Sequence, residues 1–494
     1  MSSATAGTTQ IRHPDKLFID GRWVAPVAGG RIDIVSPATD AVVAHVAEAT
    51  APDIDAAVAA ARRAFDSGSW PRLPTAERAA LIGKLGQALD ARKDELAAAW
   101  VQQVGALAMV APYMVGGALA IIQYYAGIGA TYNYAEQVKT TDGKGIAVIA
   151  REPVGVVAAI APWNAPLTIL INKIVPALLA GCTVILKPAP EAPLEAYLIA
   201  EAAEAVGFPP GVLNLVTAHR EAAEQLVRNP GVDKVSFTGS TVAGRRIASL
   251  CGERIARCTL ELGGKSAAIV MDDYDVATAA KQLAHTISIM SGQVCATLSR
   301  VVVPRAKQAA YAEAIQAELA AIRVGDPSDP ATMMGPLAMR RQLERVEGYM
   351  SVGKAEGARL VCGGTRSAHM PQGCYFDPTL FTDVTSGMAI AQEEIFGPVI
   401  ALLGYDDEAD ALRIANDSPY GLFGVVFTHD TDRAYRIARG VRTGAISQNA
   451  FRLDYFLPFG GFKQSGIGRE GGMAGLLGYT ETKTILLDAA PSKV

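Results

Sequence analysis

The sequence predicts an α/β protein assembled from parallel βαβ units and divided into two or three domains. From residue 145 the apolar runs VGVVAAIAP, TVILKPA, GVLNLVT and KVSFTG alternate with helical stretches at 166–180, 194–206, 220–228 and 241–252. That alternation is the pattern of a parallel sheet covered by helices on both faces. The chain has 494 residues, too many for one ordinary core. Half of them are hydrophobic but only 6% are aromatic, which points to alanine- and valine-rich packing of helices on sheets.

Taken in order, the first fifty residues read as short strands, KLFIDGRWV, RIDIVSP and VVAHVAEAT, separated by turn residues. Residues 52 to about 134 carry helical periodicity. The most apolar region, 153–187, is interrupted by Pro162, Pro166 and Pro176 and carries Asn164, Asn172 and Lys173. A bilayer span needs roughly twenty mostly apolar residues, so this region reads as buried α/β core. A second alternating region opens at SAAIVMD and runs to about residue 449. The tail YTETKTILLD alternates β-formers with polar residues and suits an edge strand offered to a neighbouring subunit. No solenoid repeat is visible.

The net charge is −4 and the isoelectric point is near 6.0, without the concentrated basic face of a nucleic-acid binder. The clusters in RRAF, GRRIAS and MRRQLERVE read as solvated helix faces. Six cysteines at 182, 251, 258, 295, 362 and 374 form no C-x-x-C pair and suit reduced thiols in a cytoplasmic protein. The opening MSSATAGTTQIRHPDK has no apolar leader segment. The expectation is a soluble chain that engages neither membrane nor nucleic acid, and its six scattered histidines offer no metal-ligand set.

Among the motifs, GIGREG at 466–471 matches G-x-G-x-x-G but follows PFGGFKQS rather than a strand, which the dinucleotide fingerprint requires. GSTVAGRR at 239–246 resembles a phosphate-binding loop, but Arg245 and Arg246 replace the Lys-Ser/Thr pair. KVSFTGSTVAG still places small residues between a strand and a helix. Ser240 and Thr241 there suit either a phosphate at the helix start or plain N-caps. In TLELGGKS, Glu261 is flanked by leucines, so it is either a desolvated general base or a salt-bridged strand glutamate. In IAPWNAPL, Asn164 sits between prolines, where its amide could donate to a developing oxyanion. Cys295, in SGQVCATLSR, is either a nucleophile or one more packed thiol.

PWN, GCTVILKP, FTGST, ELGGKS, GQVC, EEIFGP and PFGGFKQSG occur in this order, and the chain resembles the aldehyde dehydrogenase superfamily from FIDGRWV to GYTETKTI. The resemblance implies a Rossmann-type cofactor domain (1–130 and 153–262), an α/β catalytic domain (263–462) and a small bridging sheet (131–152 and 478–494) in a homodimer or homotetramer. It implies that Cys295 attacks an aldehyde as thiolate and that Asn164 and the Cys295 N–H stabilise the oxyanion. Glu261 would then activate water on the thioester, with Lys173 positioning groups and handling protons. No metal is needed. The implied cofactor is NAD, with NADP possible. Ile160, Trp163, Lys187, Pro190, Glu191, Phe237, Gly239, Ser240, Leu262, Gly263, Glu394 and Phe396 would contact it, with Gln342 and Arg345 on the adenine side.

Two departures stand out. Pro190 occupies the place where NAD-preferring members often carry an acid, with Glu191 one residue on. Ala165 and Asn172 replace bulky aromatics of the substrate channel, which Ile169, Ile289, Val294, Ala296, Phe451 and Phe459 would otherwise line. A wide apolar funnel would suit medium-length, branched, terpenoid (geranial-like) or aromatic aldehydes, unless neighbouring loops refill the space. The rival readings are a CoA-acylating relative, which Glu261 opposes, and a non-enzymatic member of the fold, which intact Cys295, Glu261 and Asn164 oppose.

Overall fold

The computed structural model describes residues 11–492; the first ten residues of the opening segment and the last two of the tail lie outside the described residues. Val156–Ile160 (β1), Thr183–Lys187 (β2), Leu213–Leu215 (β3), Lys234–Thr238 (β4) and Arg257–Glu261 (β5) pair in parallel in the order β3-β2-β1-β4-β5. The hairpin of Leu17–Ile19 and Arg22–Val24 extends this sheet beyond β3, and Gly466–Ile467 closes it antiparallel beyond β5. The GIGREG match thus supplies an edge strand.

The connecting helices are Pro166–Ala180 (α1), Leu194–Val206 (α2), Arg220–Arg228 and Thr241–Glu253 (α3). Proline at the first helical position starts α1, and left-handed glycines, Gly181 at φ 99° and Gly207 at φ 80°, end α1 and α2. Strand β1 shows why its sequence does not alternate. Val157 and Ala159 pack into one apolar layer with α1 and α2, while Val156, Ala158 and Ile160 pack into the opposite layer with the Ala51–Asp66 helix and α3. Both faces are covered, so both must be apolar.

A second sheet holds Ala267–Val270 (β6), Arg300–Pro304 (β7), Val399–Tyr405 (β8) and Gly424–Phe427 (β9) in the parallel order β8-β7-β6-β9. A third sheet is antiparallel, with Ile146–Pro153 between Ala135–Lys139 and Thr480–Leu487. Its Thr480–Leu487 strand is an edge, and Leu486 there is 71% exposed. Among the described residues no helix is long and apolar enough to cross a membrane, and no group of three or more His, Cys, Asp or Glu is placed to hold a metal ion.

Gly155 leads into β1 at φ 128°, and a Cβ there would overlap the Asp233 carboxylate. That carboxylate is already committed: it accepts from the Val156 N–H at 2.7 Å and pairs with Arg62 at 2.6 Å. Gly155→Ala is therefore expected to destabilise the protein by about 2 kcal/mol or more through backbone strain and overpacking. The measurement is the thermal unfolding midpoint, and an unchanged midpoint would contradict this reading of the strand start.

Candidate active site

The site is built where the chain leaves the first sheet for the second. Glu261 ends β5, and Leu262, Gly263 and Gly264 carry the chain across to β6. Ser465 fastens this crossing: its carbonyl accepts from the Leu262 N–H at 2.9 Å and its hydroxyl donates to the Gly263 carbonyl at 2.7 Å. Neither glycine tolerates a side chain. A Cβ on Gly263 would overlap the Glu394 carboxylate, and one on Gly264 would overlap the Cys295 carbonyl. Glu394 in turn accepts from the Gly264 N–H at 3.1 Å. Glu261, Cys295 and Glu394 are thus gathered around one short segment.

Cys295 follows a strained turn beyond the helix Val276–Ser288 (α4). Met290, Ser291 and Gly292 are all left-handed, at φ 49°, 54° and 73°. Such geometry costs about 1–3 kcal/mol at each non-glycine position and persists only when neighbours impose it. Here the Ser291 hydroxyl donates to the Gly335 carbonyl at 2.7 Å, and the buried Gln293 amide bridges the Ala338 N–H and the Met290 carbonyl, both at 2.9 Å. Position 292 requires glycine, because a Cβ would overlap the Gly397 carbonyl. The Asn164 amide donates to the Gln293 carbonyl at 2.9 Å, which leaves its second N–H for a ligand. Trp100 holds this loop by donating to the Asn164 carbonyl at 2.8 Å.

Burial pushes the Cys295 thiol up to about 12, helped by the nearby Glu394 and Glu261 charges and opposed by the N–H groups of Ala296 and Cys295. That direction favours the thiol over the thiolate before substrate arrives. Glu261 is 4% exposed, and neither carboxylate oxygen has a hydrogen-bond partner. Burial and then the charge of Glu470 hold its carboxyl well above the usual range, while Lys173 and Arg469 pull it back. The salt-bridged alternative for Glu261 is therefore set aside. The ion pair lies one step behind it, where the fully buried Lys173 meets Glu470 at 2.5 Å. Glu394 is raised to about 7 by burial, against the Gly264 N–H, Arg345 and Lys265.

On the other side, the strand order reverses between the paired β1 and β4, the kind of switch point at which open parallel sheets bind dinucleotides. Ile160 ends β1, Lys187 ends β2, and Phe237, Gly239 and Ser240 lie at the end of β4. The Ser240 hydroxyl accepts from the Ala243 N–H at 3.3 Å and so caps α3. A Cβ on Gly239 would overlap the Phe237 ring, so the backbone there stays bare. Burial lowers Lys187 to about 8 although Glu191 raises it. Trp163 meets Phe396 edge-on at 5.3 Å, and Phe396 is itself left-handed at φ 60°.

Gln342 and Arg345 require a correction. Both lie on the helix Arg340–Ala355 (α5) and hold the Glu394–Phe396 loop rather than the Lys187 side. Gln342 donates to the Ile395 and Phe396 carbonyls at 3.1 and 2.6 Å, and Arg345 donates to the Glu394 carbonyl at 2.6 Å.

Of the expected channel residues, Ala165, Ile169, Ile289, Val294, Phe451 and Phe459 are half-buried, as an open wall requires. Ile169 is the one residue of α1 that is not buried. Ala296 is not part of this wall: it is fully buried in the core with Leu298 and Ile287. Phe451 leans on Phe423 at 5.1 Å. Asn172 is buried and donates to the Thr168 carbonyl at 3.2 Å within its own helix. Beside Ala165 lies a slot of about 10 Å³ lined by Trp100, Met114 and Glu195, room for about one water.

The sequence reading missed Trp100, Tyr455 and Glu470. Tyr455 lies close enough for the Cys295 charge to raise its phenol, after burial. A signal existed for Glu470, since a lysine inside the apolar helix α1 needs a buried carboxylate partner.

Because one pKa unit is tenfold in thiolate, iodoacetamide alkylation of Cys295 is expected to rise steadily with pH through 9 without levelling. Glu394→Gln removes a like charge and is expected to speed that alkylation at pH 8.5 by about threefold to tenfold. A plateau near pH 7 would contradict the thiol assignment; mass spectrometry of the labelled peptide supplies the measurement.

Comparison with known proteins agrees with this geometry. Residues 23–485 match the profile of the Aldehyde dehydrogenase family. A 3-succinoylsemialdehyde-pyridine dehydrogenase from Pseudomonas sp is 40% identical over 96% of this chain and 99% of its own length. A geranial dehydrogenase from Castellaniella defragrans is 40% identical over 95% and 98%. A cysteine-to-alanine variant of aldehyde dehydrogenase C from Pseudomonas syringae, solved with NAD+ and octanal, superposes with a TM-score of 0.93 at 39% identity, covering 98% of this chain and 99% of that one. On its sequence and its fold, the chain belongs to the aldehyde dehydrogenase family.

Proposed function

We propose that this protein oxidises an apolar aldehyde of medium length, branched, terpenoid or aromatic, to its carboxylic acid, with NAD as hydride acceptor. The observation that carries the reading is the convergence of Cys295, the spare Asn164 N–H and the unpartnered Glu261 carboxyl on one crossing between sheets. The switch point, the α3 N-terminus and the side-chain-free Gly239 and Gly263 fit a dinucleotide. Lys187 and Glu191 would face its adenosine end, and Glu394 and Phe396 its nicotinamide end. When bound, that group supplies the acceptor for the hydride leaving the substrate carbon.

The chain's own residues do the rest. As the aldehyde arrives, the Cys295 thiol passes its proton to the neighbouring Glu261 carboxylate, which releases it to water, and the sulfur bonds to the carbonyl carbon, giving a thiohemiacetal. The Asn164 amide and the Cys295 N–H hold the oxyanion. Loss of hydride leaves a thioester on Cys295. Glu261, whose raised pKa suits a base near neutral pH, takes a proton from water as the water attacks that thioester. Lys173 favours the ionised form of Glu261 and Glu470 opposes it, so the pair tunes the base. Transfer to CoA is the second reading, and a glutamate base placed for water opposes it. The exposed Thr480–Leu487 edge is proposed to pair with a second copy in a homodimer or homotetramer, and the free thiols fit the cytoplasm.

The decisive assay is NADH absorbance with a panel of aldehydes, with and without CoA; turnover is expected without CoA, and an absolute CoA requirement would overturn hydrolysis. Glu261→Gln is expected to give a stoichiometric burst of NADH followed by slow turnover, whereas Cys295→Ala gives neither. Full steady-state turnover by Glu261→Gln would move the base elsewhere.

Each buried methylene contributes about 0.8 kcal/mol in an apolar channel, so kcat/KM is expected to climb by orders of magnitude from acetaldehyde to octanal or geranial. The slot beside Ala165 takes no ring, so the phenyl of Ala165→Phe must project into the channel and reduce activity on the long substrates most. Equal kcat/KM for acetaldehyde and octanal would rule out an apolar channel.

A further inference from the structure

A dinucleotide laid across the β1/β4 switch point places its adenosine ribose at the end of the second strand of the 3-2-1-4-5 order. That strand is β2, which ends at Lys187. The following segment, Lys187-Pro-Ala-Pro-Glu-Ala-Pro193, is stiffened by three prolines and delivers Glu191 within electrostatic reach of Lys187. An acidic side chain here reads a ribose 2′-hydroxyl, while an arginine here accommodates a 2′-phosphate. The structure holds both. The Glu191 carboxylate meets the Arg341 guanidinium at 2.6 Å, with side chains 24% and 66% exposed.

Arg341 does not come from the cofactor-binding sheet. It lies in the first turn of α5, next to Gln342, and α5 also grips the Glu394–Phe396 loop through Gln342 and Arg345. One helix therefore reaches both ends of the proposed cofactor groove. An exposed ion pair of this kind contributes about 0–1 kcal/mol and opens easily. A phosphate dianion would be a stronger partner for a guanidinium than a single carboxylate, because it offers more charge and bidentate acceptors.

We propose that Arg341 is the group that receives a 2′-phosphate on the adenosine ribose, and that Glu191, by engaging Arg341, sets the preference for NAD over NADP. This rests on the cofactor reading given under Proposed function. Glu191 acts twice. Its charge repels the added phosphate, and its ion pair occupies a guanidinium that would compensate. Pro190 leaves the choice to this pair, since it contributes no charge of its own.

The test is calorimetric titration of the full-length protein with NAD+ and with NADP+. Four variants are compared with wild type: Arg341→Gln, Arg341→Lys, Glu191→Gln and the Glu191→Gln/Arg341→Gln double. Glu191→Gln is expected to tighten NADP+ about tenfold and Arg341→Gln to weaken it about tenfold, a change of about 1.4 kcal/mol each, with NAD+ moving less than about twofold. Arg341→Lys is expected to keep part of the NADP+ affinity. The gain from Glu191→Gln is expected to shrink in the double variant to the part that comes from relieved repulsion, which a merely structural role for Arg341 would not produce. If Arg341→Gln weakens NAD+ and NADP+ equally, or neither, the inference is overturned while the bound NAD+ leaves the cofactor reading standing. If wild type binds neither dinucleotide, the cofactor reading falls and takes the inference with it.

Discussion

Two adjacent residues without side chains make the site possible. Gly263 and Gly264 carry the chain from the strand bearing Glu261 into the second sheet, and the space a Cβ would need is taken by the Glu394 carboxylate and the Cys295 carbonyl. The crossing is therefore tight enough to bring three functional groups, from positions 261, 295 and 394, around one backbone segment. Ser465 closes the crossing from the far end of the chain, so the C-terminal region is part of the site's frame rather than an appendage.

Around this crossing the protein keeps its ionisable groups in low-dielectric surroundings. Glu261 has no hydrogen-bond partner, the Cys295 thiol is raised, and Glu394 is held near neutrality by burial. Lys173 and Glu470 form the compensating pair, one from the helix after β1 and the other from the loop after the Gly466–Ile467 strand. A buried pair of this kind does little for stability, because the desolvation cost offsets the attraction. Its consequence is electrostatic: it places a positive and a negative charge in opposition on the same base.

Strain is concentrated in the same place. Met290, Ser291 and Phe396 occupy left-handed backbone that their side chains disfavour. Each is held by a specific hydrogen bond, from Gln293 to the Met290 carbonyl, from Ser291 to the Gly335 carbonyl and from Gln342 to the Phe396 carbonyl. The turn before Cys295 and the Glu394 loop are thus set by their partners and not by local preference. The α5 helix supplies Gln342 and Arg345 to that loop and, through Arg341, an ion pair to Glu191 beyond the end of β2.

Much of this was legible in the sequence. Uninterrupted apolar runs between helical stretches follow from a sheet buried on both faces, and proline and glycine punctuation located α1 and α2. Cys295, Glu261 and Asn164 stood out as candidates because the motifs GQVC, ELGGKS and PWN are local. What the tertiary structure alone decided are the relations between distant segments. Lys173 and Glu470 lie 297 positions apart, so their pairing has no local signature. The placement of Gln342 and Arg345 on the Glu394–Phe396 loop depends on how α5 packs across it. Ala296 followed the same rule, since the strained turn before Cys295 sets which neighbour faces the channel and which faces the core. The slot beside Ala165 is narrow because Trp100, from a helix far earlier in the chain, lines it while bonding to Asn164. Local chemistry is written in residue types and short spacings, whereas burial and pairing are properties of the packed chain.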